Sequence, residues 1–285
     1  MTTDHAPRDA SVTALDGDLV AALRRFAALP KILVCLDFDG CVAELVPDAD
    51  DARPVPANAE AVQRLSEFDG VRVAYVSGRG LDTLREIAAP PSGTLLIGSH
   101  GAERDVADLA EEDAQLVLTS KQEAARTRLL KVFETIAAGT DGAWVEHKPA
   151  GAAMHVRKVP DAAEAEQVLA EARAAVAALD EVHPKEGKAV LEAVVVQATK
   201  GEGITELREL VSPDAVFFAG DDVTDEFGFA VLAGADVGVK VGEGETRADH
   251  RIGAPPQLAD VLTVIADARE RAGAAGAPAA EKEQQ

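Results

Sequence analysis

The sequence predicts an α/β protein: a doubly wound, Rossmann-like parallel sheet with a smaller α+β cap domain inserted into the chain. Two observations predict the sheet. Short aliphatic runs without polar alternation each end in polar residues, and helical segments separate several of these runs. A third observation, a central stretch with helices and strands of its own, predicts the inserted cap.

Five aliphatic runs are the predicted strands of the core sheet. They span residues 32–36, 71–76, 95–97, 216–219 and, more weakly, 237–241. The helices predicted around them span residues 58–68, 81–88, 203–210 and 258–272. Polar clusters directly follow the first four strands, in DFDG, SGR, GSHG and GDD. Ligands of such sheets bind at the carboxyl ends of the strands, so these clusters form the candidate site.

The middle of the chain has a different pattern, which predicts a cap of residues 108–196 between core segments 1–107 and 197–285. Helices are predicted over residues 108–138 and 161–180, and strands over residues 144–148, 153–159 and 189–196. Gly151 lies between the first two of these strands, as a hairpin connection requires. The chain ends, MTTDHAPRDA and AGAAGAPAAEKEQQ, are predicted to be disordered because they carry too little apolar surface to pack.

The composition argues against several classes of partner. Among 285 residues, 28 Lys and Arg are outnumbered by 50 Asp and Glu, and the resulting charge of −22 would repel nucleic acid and anionic membranes. The two cysteines, Cys35 and Cys41, cannot form a disulfide framework, which favours a reducing compartment. The sequence has no signal-peptide pattern and no apolar run of about 18 residues. We therefore expect a soluble, cytoplasmic protein that acts on a small molecule.

Seven polar residues at strand ends or helix starts form the candidate site. They are Asp37 and Asp39 after the first strand, Ser77 after the second, Lys200 at a helix start, and Asp221, Asp222 and Asp225 after the fourth. Each feature alone is also typical of a polar turn, or of a helix start whose dipole is complemented by carboxylates. Their occurrence together at one sheet edge predicts a catalytic site.

These residue types suit phosphoryl transfer assisted by a divalent metal. Clustered carboxylates repel one another without a cation, and Mg²⁺ prefers such oxygen ligands. One carboxylate in line with phosphorus can attack it, and a second can protonate the leaving oxygen and later activate water. A serine hydroxyl and helix-start N–H groups can hold phosphoryl oxygens, and a lysine can offset the shared negative charge.

The motifs DFDG, SGR, the isolated Lys200 and GDDVTDE occur in the order typical of phosphatases of the haloacid dehalogenase superfamily, which this chain resembles. The resemblance implies that Asp37 is the nucleophile and that Asp39 is the general acid and base. It also implies that Ser77 and Lys200 bind phosphate. Cys41 departs from the pattern, because the superfamily usually has threonine or valine there, and we expect adjusted hydrogen bonding rather than lost activity.

The same resemblance implies Mg²⁺ as the cofactor. Its implied ligands are the Asp37 carboxylate, the Asp39 backbone carbonyl and Asp221. Asp222 and Asp225 are implied to support the metal site. Part of the acidic excess of the chain would then belong to a cluster that the metal partly neutralises.

Acidic, basic and histidine residues recur on short segments of the predicted cap. The candidate substrate-binding residues are Glu146 and Lys148 in VEHK, His155 and Arg157 in MHVR, and Lys188 and Glu192 in GKAVLE. Residues two apart on a strand share a face, as His155 and Arg157 would. A face with both donors and acceptors suits a polyhydroxylated ligand, although the spacing alone fits a solvated face equally well.

Together with GSHGAE and GDDVTDE, these cap segments are similar to those of the trehalose-phosphatase family over residues 31–250. The resemblance implies hydrolysis of trehalose 6-phosphate to trehalose and phosphate through an aspartyl phosphate, the last step of trehalose biosynthesis. It implies that the cap residues meet the sugar, with Arg79 and His100 at the seam between core and cap.

Three alternatives fit parts of the same pattern. Another capped sugar-phosphate phosphatase, acting on sucrose phosphate or mannosyl-phosphoglycerate, would share the core and differ in the cap. A non-enzymatic phospho-receiver domain also uses an acidic pocket and a lysine, but the insertion between Ser77 and Lys200 disfavours it. A catalytically inactive sugar-binding protein is disfavoured because every expected catalytic carboxylate is present.

Overall fold

The computed structural model describes residues 15–106, 118–187 and 189–276, which form two sheets and their covering helices. The strands are β1 Ile32–Leu36, β2 Val71–Val76, β3 Leu95–Gly98, β4 Glu103–Asp105, β5 Trp144–Lys148, β6 Gly151–His155, β7 His183–Gly187, β8 Val190–Val194, β9 Ala215–Gly220, β10 Val237–Val241 and β11 His250–Ile252. The α-helices are α1 Gly17–Ala27, α2 Pro56–Ser66, α3 Leu81–Ala88, α4 Ser120–Ala137, α5 Ala162–Ala177, α6 Lys200–Val211, α7 Glu226–Phe229 and α8 Leu258–Gly276. Within these ranges, no helix combines the length and the apolar character needed to cross a membrane.

Strand β1 lies at the centre of a seven-stranded core sheet with the order β11-β10-β9-β1-β2-β3-β4. Its neighbours β2 and β9 both run parallel to it, and Cys35 pairs with Ala74 on one side and Phe218 on the other. The chain continues outward to β2 in one direction and returns to β9 in the other, so the carboxyl end of β1 is a topological switch point. The DFDG segment therefore begins where such sheets bind their ligands.

Helices cover both faces of the core sheet. The apolar strand β1 is therefore buried along its whole length. Val34 and Leu36 pack in one cluster with buried residues of α1, α2 and α8. Leu33 and Cys35 point to the opposite face and pack in a second cluster with Ile204 of α6. This two-sided arrangement confirms the predicted doubly wound core.

The second sheet has four antiparallel strands in the order β5-β6-β8-β7 and lies in the predicted cap. Helices α4 and α5 cover one of its faces, where Phe133 and Leu169 pack with Met154 and Leu191. The opposite face carries the alternate residues of each strand. The α+β character of the cap is thus confirmed, while the boundaries at residues 108 and 196 stay predictions.

Cap elements differ from their predicted positions for local reasons. Helix α4 begins at Ser120 behind a capping box formed by Thr119, and residues 108–117 of the predicted helix lie outside the described residues. Gly151 is the first residue of β6 and pairs with Lys148, so it does not form the hairpin connection. The sequence does not predict β7, because HPKEG lacks the branched and aromatic residues that favour strands.

The core elements differ from the prediction mainly at the edges of the sheet and at the ends of the chain. Strand β4 runs antiparallel to β3, so the core sheet is parallel except at this edge. Neither α1 nor the short edge strands β4 and β11 are predicted from the sequence. Helix α8 continues to Gly276, so residues 272–276 of the predicted disordered end are helical. The remaining residues of both predicted disordered ends lie outside the described ranges.

Candidate active site

Lys200 joins two carboxylates at the carboxyl edge of the core sheet. Its ammonium lies 2.8 Å from Asp37 Oδ1 and 2.7 Å from Asp225 Oδ1, and all three side chains are buried. Asp37 directly follows β1, and Lys200 is the first residue of α6, whose start is fixed by a capping box with Thr199. Burial raises the pKa of Asp37 well above its ordinary value, an effect that the charge of Asp225 increases and that of Lys200 opposes.

Asp221 brings a third carboxylate to this group. One oxygen from each of Asp37, Asp221 and Asp225 lies within 4.8 Å of the others, an all-oxygen arrangement that suits a hard divalent cation. Burial and then the charge of Asp225 raise the pKa of Asp221 to about 6. Gly40 faces this carboxylate with a φ of 75°, and a Cβ there would lie 2.1 Å from Asp221 Oδ2, so this position requires glycine.

A second buried lysine, Lys240 of β10, lies next to the cluster of three carboxylates. The residue is 4% exposed, and its ammonium donates a hydrogen bond to the backbone carbonyl of Asp221. Its charge lowers the pKa of Asp221, against the larger effects of burial and Asp225. Sequence reasoning missed this residue, although a lysine inside the otherwise apolar VGVKV strand is a signal that could have found it.

The loop after β9 is shaped by Asp222 and Asp225. Asp225 Oδ2 accepts a hydrogen bond of 2.9 Å from the backbone N–H of Asp222, while its Oδ1 accepts one from Lys200. Asp222 Oδ1 in turn accepts a hydrogen bond from the backbone N–H of Val223. The Asp222 carboxylate is therefore not part of the group of three and serves the loop backbone instead.

Arg79 binds both carboxylate oxygens of Asp39. Arg79 Nε and Nη2 each lie 2.6 Å from one oxygen, the two-bond geometry of a strong ion pair. Arg79 Nη2 also donates a hydrogen bond of 2.8 Å to the carbonyl of Ala49, and the guanidinium lies over the Phe38 ring. Asp39 is thus held with both oxygens occupied, so any role as an acid or base requires it to exchange one of these bonds.

Ser77 follows β2 and is buried beside this pair. Its Oγ accepts a hydrogen bond of 3.2 Å from the backbone N–H of Arg79. Its carbonyl accepts one of 2.9 Å from the N–H of His100, which brings the SGR and GSHG segments together. His100 has a φ of 60°, and its ring packs so closely on Gly78 that a Cβ there would lie 2.5 Å from His100 Cε1.

His100 is uncharged at neutral pH. Burial lowers its pKa to about 3, and the charges of Lys185, Lys200 and Lys148 add to this effect. Its Nδ1 is buried and has no hydrogen-bond partner among the described residues. A neutral ring with an unfilled Nδ1 therefore lines the cavity that His100 shares with residues of the cap.

Replacing His100 by asparagine, which tolerates a left-handed backbone, is expected to reduce the loss of stability on acidification. Because folding lowers the pKa of His100 to about 3, only the unfolded chain binds the extra proton between this value and its ordinary pKa. Between about pH 5.5 and about pH 4 the wild-type free energy of unfolding should fall by about 1.4 kcal/mol more per pH unit than that of the variant. Urea unfolding at several pH values measures this difference, and equal slopes for the two proteins would contradict it.

Directly opposite residues of the four cap strands form a polar row. The row consists of Glu146, Ala153, Glu192 and Lys185, from β5, β6, β8 and β7 in that order. Directly opposite residues lie on the same face of a sheet, so both carboxylates and the ammonium share one side. This is the side away from α4 and α5, where Met154 and Leu191 pack.

Lys148 and Glu192 form an ion pair on this face. Lys148 Nζ lies 3.1 Å from Glu192 Oε2, and the two side chains are only 11% and 14% exposed. The small residues Gly151 and Ala153 of β6 separate them, so the lysine side chain can extend across that strand. Lys188, predicted from the sequence to share this face with Glu192, lies outside the described residues.

The other predicted sugar contacts form a second polar group on the cap. His155 Nε2 lies 2.9 Å from Glu146 Oε2, and the His155 ring stacks on Trp144 with centroids 4.7 Å apart. Arg157 donates a hydrogen bond to the carbonyl of Pro47 in the core. Arg157 thus connects the cap with the core loop that follows DFDG, a contact that the sequence does not predict.

Two cavities of about 350 Å³ and 480 Å³ lie between the cap and the core, within the size range of small-ligand sites. The residues lining the smaller one include Arg79, Glu146, His155 and Arg157. The larger one, which we call the lysine cavity, is lined in part by His100, Lys185, Glu192, Lys200 and Asp222. The structure therefore brings predicted core and cap residues into shared cavities and adds Lys185, which sequence reasoning missed because β7 has no strand pattern.

Comparison with known proteins identifies the family. The family model described as trehalose-phosphatase matches residues 35–258, a range that contains every candidate site residue. The chain belongs to the trehalose-phosphatase family. The trehalose-6-phosphate phosphatase of Escherichia coli is 30% identical over 244 residues, which cover 82% of this chain and 86% of that relative.

Another member of the trehalose-phosphatase family is longer than this chain. The bifunctional trehalose-6-phosphate synthase/phosphatase of Thermoproteus tenax is 33% identical over 247 residues, which cover 85% of this chain but 32% of that relative. The chain therefore spans about a third of the length of this relative, whereas it spans most of the Escherichia coli protein.

Solved structures share the fold of this trehalose-phosphatase chain. The C-terminal domain of Candida albicans trehalose-6-phosphate phosphatase has a TM-score of 0.70 at 22% identity, covering 88% of this chain and 97% of that one. The C-terminal domain of the Candida albicans trehalose synthase regulatory protein has a TM-score of 0.67 at 14% identity, covering 87% and 99%. One is named a phosphatase and the other a regulatory protein, so the fold alone does not decide the activity and the site residues must.

Proposed function

We propose that this protein is a Mg²⁺-dependent phosphatase that hydrolyses trehalose 6-phosphate to trehalose and phosphate, the last step of trehalose biosynthesis. The observation that carries the proposal is the buried group of Asp37, Lys200 and Asp225, because Lys200 of this group also lines a cavity together with Glu192 of the cap. Membership of the trehalose-phosphatase family and the similarity to the Escherichia coli relative support the choice of substrate. A cytoplasmic location is part of the proposal, supported by the free cysteines Cys35 and Cys41.

The phosphoryl group of the substrate would bind between Ser77 and Lys200. The Ser77 hydroxyl accepts only a backbone hydrogen bond among the described residues, so its own proton is available to a phosphoryl oxygen. Lys200 offers a third ammonium proton beyond those directed at Asp37 and Asp225. This placement brings phosphorus next to the Asp37 carboxylate, as an in-line attack requires.

In the first half-reaction, an Asp37 carboxylate oxygen attacks phosphorus, and the bond from phosphorus to the sugar oxygen breaks. Lys200 binds Oδ1 of Asp37, so we assign the attack to Oδ2. The leaving sugar oxygen takes a proton from Asp39, which must enter this step protonated. Because Arg79 occupies both Asp39 oxygens, substrate binding has to draw Arg79 away from one of them before that oxygen can carry and transfer the proton.

In the second half-reaction, water replaces the aspartyl group. Asp39, now a carboxylate, takes a proton from a water molecule whose oxygen attacks phosphorus. The bond from phosphorus to Asp37 breaks, phosphate leaves, and Asp39 holds the proton for the next cycle. Lys200 stabilises the negative charge that Asp37 regains, since its ammonium lies 2.8 Å from Oδ1.

The cluster of three carboxylates, from Asp37, Asp221 and Asp225, fits Mg²⁺ because all of its donor atoms are oxygens. Asp37 and Asp221 would hold the ion through their carboxylates and Asp39 through its backbone carbonyl, with Asp222 and Asp225 supporting the site. The raised pKa values of Asp37 and Asp221 favour this proposal, because a cation would offset the repulsion and burial behind them. When bound, the ion supplies positive charge to the phosphoryl oxygens during transfer.

Removal of the metal with EDTA is expected to stop phosphate release, and added MgCl₂ should restore it. The carboxylates of Asp37, Asp221 and Asp225 come together only in the folded protein. Mg²⁺ that binds them should therefore also raise the melting temperature, and more so the more tightly it binds. Asp221→Asn serves as the matched variant, because it removes one charge from the group and should need more Mg²⁺ for the same thermal shift. Full activity of a preparation that elemental analysis shows to be metal-free would contradict the proposal.

The substrate is tested by measuring phosphate release from trehalose 6-phosphate, sucrose 6-phosphate, glucose 6-phosphate and mannosyl-phosphoglycerate with Mg²⁺ present. We expect kcat/KM for trehalose 6-phosphate to exceed the others by at least about tenfold, because the cap face discriminates among sugars. Equal or faster turnover of another sugar phosphate would show that trehalose 6-phosphate is not the preferred substrate. Repeated turnover of any of them excludes a phospho-receiver, whereas no turnover of any would favour a sugar-binding protein.

A further inference from the structure

Lys185 is a cation of the lysine cavity whose ammonium has no hydrogen-bond or ion-pair partner among the described residues. It lies in β7 directly opposite Glu192 of β8. It lines the cavity together with His100 and Lys200 of the core. No hydrogen bond or ion pair joins its ammonium to any residue in the described part of the chain. Burial lowers the pKa of Lys185, and the charge of Lys148 adds to this effect while that of Glu192 opposes it.

Glu192 has an unfilled acceptor next to this cation. Its Oε2 is bound by Lys148 at 3.1 Å, whereas its Oε1 is buried and has no hydrogen-bond partner among the described residues. A buried carboxylate oxygen without a partner is costly, so a donor from a ligand would be favoured there. The ion pair with Lys148 fixes the Glu192 side chain, so the position of Oε1 is set before a ligand arrives.

The chemistry of this pair points to neighbouring hydroxyls. A phosphate or carboxylate of the ligand cannot occupy the position beside Glu192 Oε1, because two acceptors would face each other. A sugar hydroxyl can donate to Oε1, and the hydroxyl on the adjacent ring carbon can accept from Lys185 Nζ. The charge of Lys185 also makes this hydrogen bond stronger than one from a neutral donor.

We propose that Lys185 binds the sugar of the substrate, donating to one hydroxyl while the adjacent hydroxyl donates to Glu192 Oε1. Lys185 is thereby a specificity-determining residue that favours sugar phosphates over phosphomonoesters without hydroxyls. The inference rests on the proposed function, since it assigns a sugar-contacting role within the same active site. It concerns Lys185 itself, a residue that neither the family motifs nor the sequence pattern single out.

The test compares Lys185→Met with the wild type on two substrates. Trehalose 6-phosphate offers ring hydroxyls, and p-nitrophenyl phosphate offers none. We expect KM for trehalose 6-phosphate to rise at least about tenfold with kcat changed little, the loss typical of one charged hydrogen bond. The kcat/KM for p-nitrophenyl phosphate should fall much less. Equal losses for both substrates, or an unchanged KM for trehalose 6-phosphate, would overturn the proposal.

Two controls separate contact from charge and from misfolding. Lys131→Met removes an exposed lysine of α4, and this matched variant should behave as the wild type on both substrates. The rise in KM of Lys185→Met should persist at about 0.5 M KCl, where long-range attraction is screened. A rise that disappears in salt would mean that Lys185 acts only at a distance, which also overturns the proposal. Lys185→Arg should recover part of the lost affinity.

Failure of the inference can be told from failure of the proposed function. If the wild type releases phosphate from trehalose 6-phosphate and Lys185→Met does so with the same KM, the function stands and the role of Lys185 is refuted. If the wild type prefers another sugar phosphate, the proposed substrate is wrong. The same comparison with p-nitrophenyl phosphate is then made on that preferred sugar phosphate, and it decides the role of Lys185 independently.

Discussion

Replacing Asp37 by asparagine is expected to lower kcat by at least about 10³-fold while the protein stays folded. The amide cannot form the bond to phosphorus that the carboxylate forms, so both half-reactions are lost. The fold should tolerate the change, because burial already disfavours the charged form of Asp37 and the amide oxygen can still accept from Lys200. Asn and Asp also have nearly the same shape.

Phosphate release, thermal unfolding and mass spectrometry together measure this outcome. Wild-type protein quenched in acid during turnover should carry one additional phosphoryl group, which the Asp37→Asn protein should lack. Asp141→Asn is the matched control, because Asp141 is exposed in the cap and should leave both measurements unchanged. Activity of Asp37→Asn above about 1% of the wild type would refute the assignment of the nucleophile.

Replacing Lys200 by methionine is expected to remove activity and to lower the free energy of unfolding by about 3–5 kcal/mol. The Lys200 side chain is 3% exposed and its ammonium is paired with both Asp37 and Asp225, so its removal leaves two buried carboxylates without their cation. Burial raises the pKa of Asp37, and losing Lys200 raises it further. Stability is then regained by protonation as pH falls, so the deficit should be smaller at low pH than at high pH.

Chemical denaturation of Lys200→Met at several pH values tests this expectation. In the double variant Lys200→Met/Asp225→Asn, one of the uncompensated charges is gone, so part of the lost stability should return. The coupling between the two substitutions therefore reports the ion pair directly. A deficit independent of pH, with no recovery in the double variant, would mean that the loss comes from packing and not from the buried charges.

The sequence predicts the core of the site because its signals are local. The apolar run before DFDG fixes β1, and parallel strands necessarily bring the residues at their carboxyl ends to one edge. The pattern assigns Asp37 and Lys200 to this edge, and in the structure Lys200 Nζ lies 2.8 Å from Asp37 Oδ1. The family model extends over the same residues, 35–258.

Contacts that depend on tertiary packing could not be predicted in this way. Nothing local in SGR indicates that Arg79 binds both oxygens of Asp39, because the pairing depends on how two loops meet. Arg157 was expected at the sugar, but its bond to Pro47 arises from the position of the cap over the core. The position of Lys185 could not be predicted for a different reason. Strand β7 forms because it pairs with β8, and its own residues have little strand propensity.

The position of β1 between β2 and β9 affects the order in which parts of the protein can fold during synthesis. The sheet on one side of β1 is completed by a strand that follows the whole cap, and the hydrogen bond from Lys31 N–H to Asp214 spans 183 positions. The cap has a hydrophobic cluster of its own and can collapse while the second half of the core is still being synthesised. In a nascent chain that ends before Ala215, the cap strands can therefore pack before the core sheet around Asp37 is complete. The surroundings of Asp37 can be completed only after β9, the strand that pairs with β1 on its other side, has been synthesised.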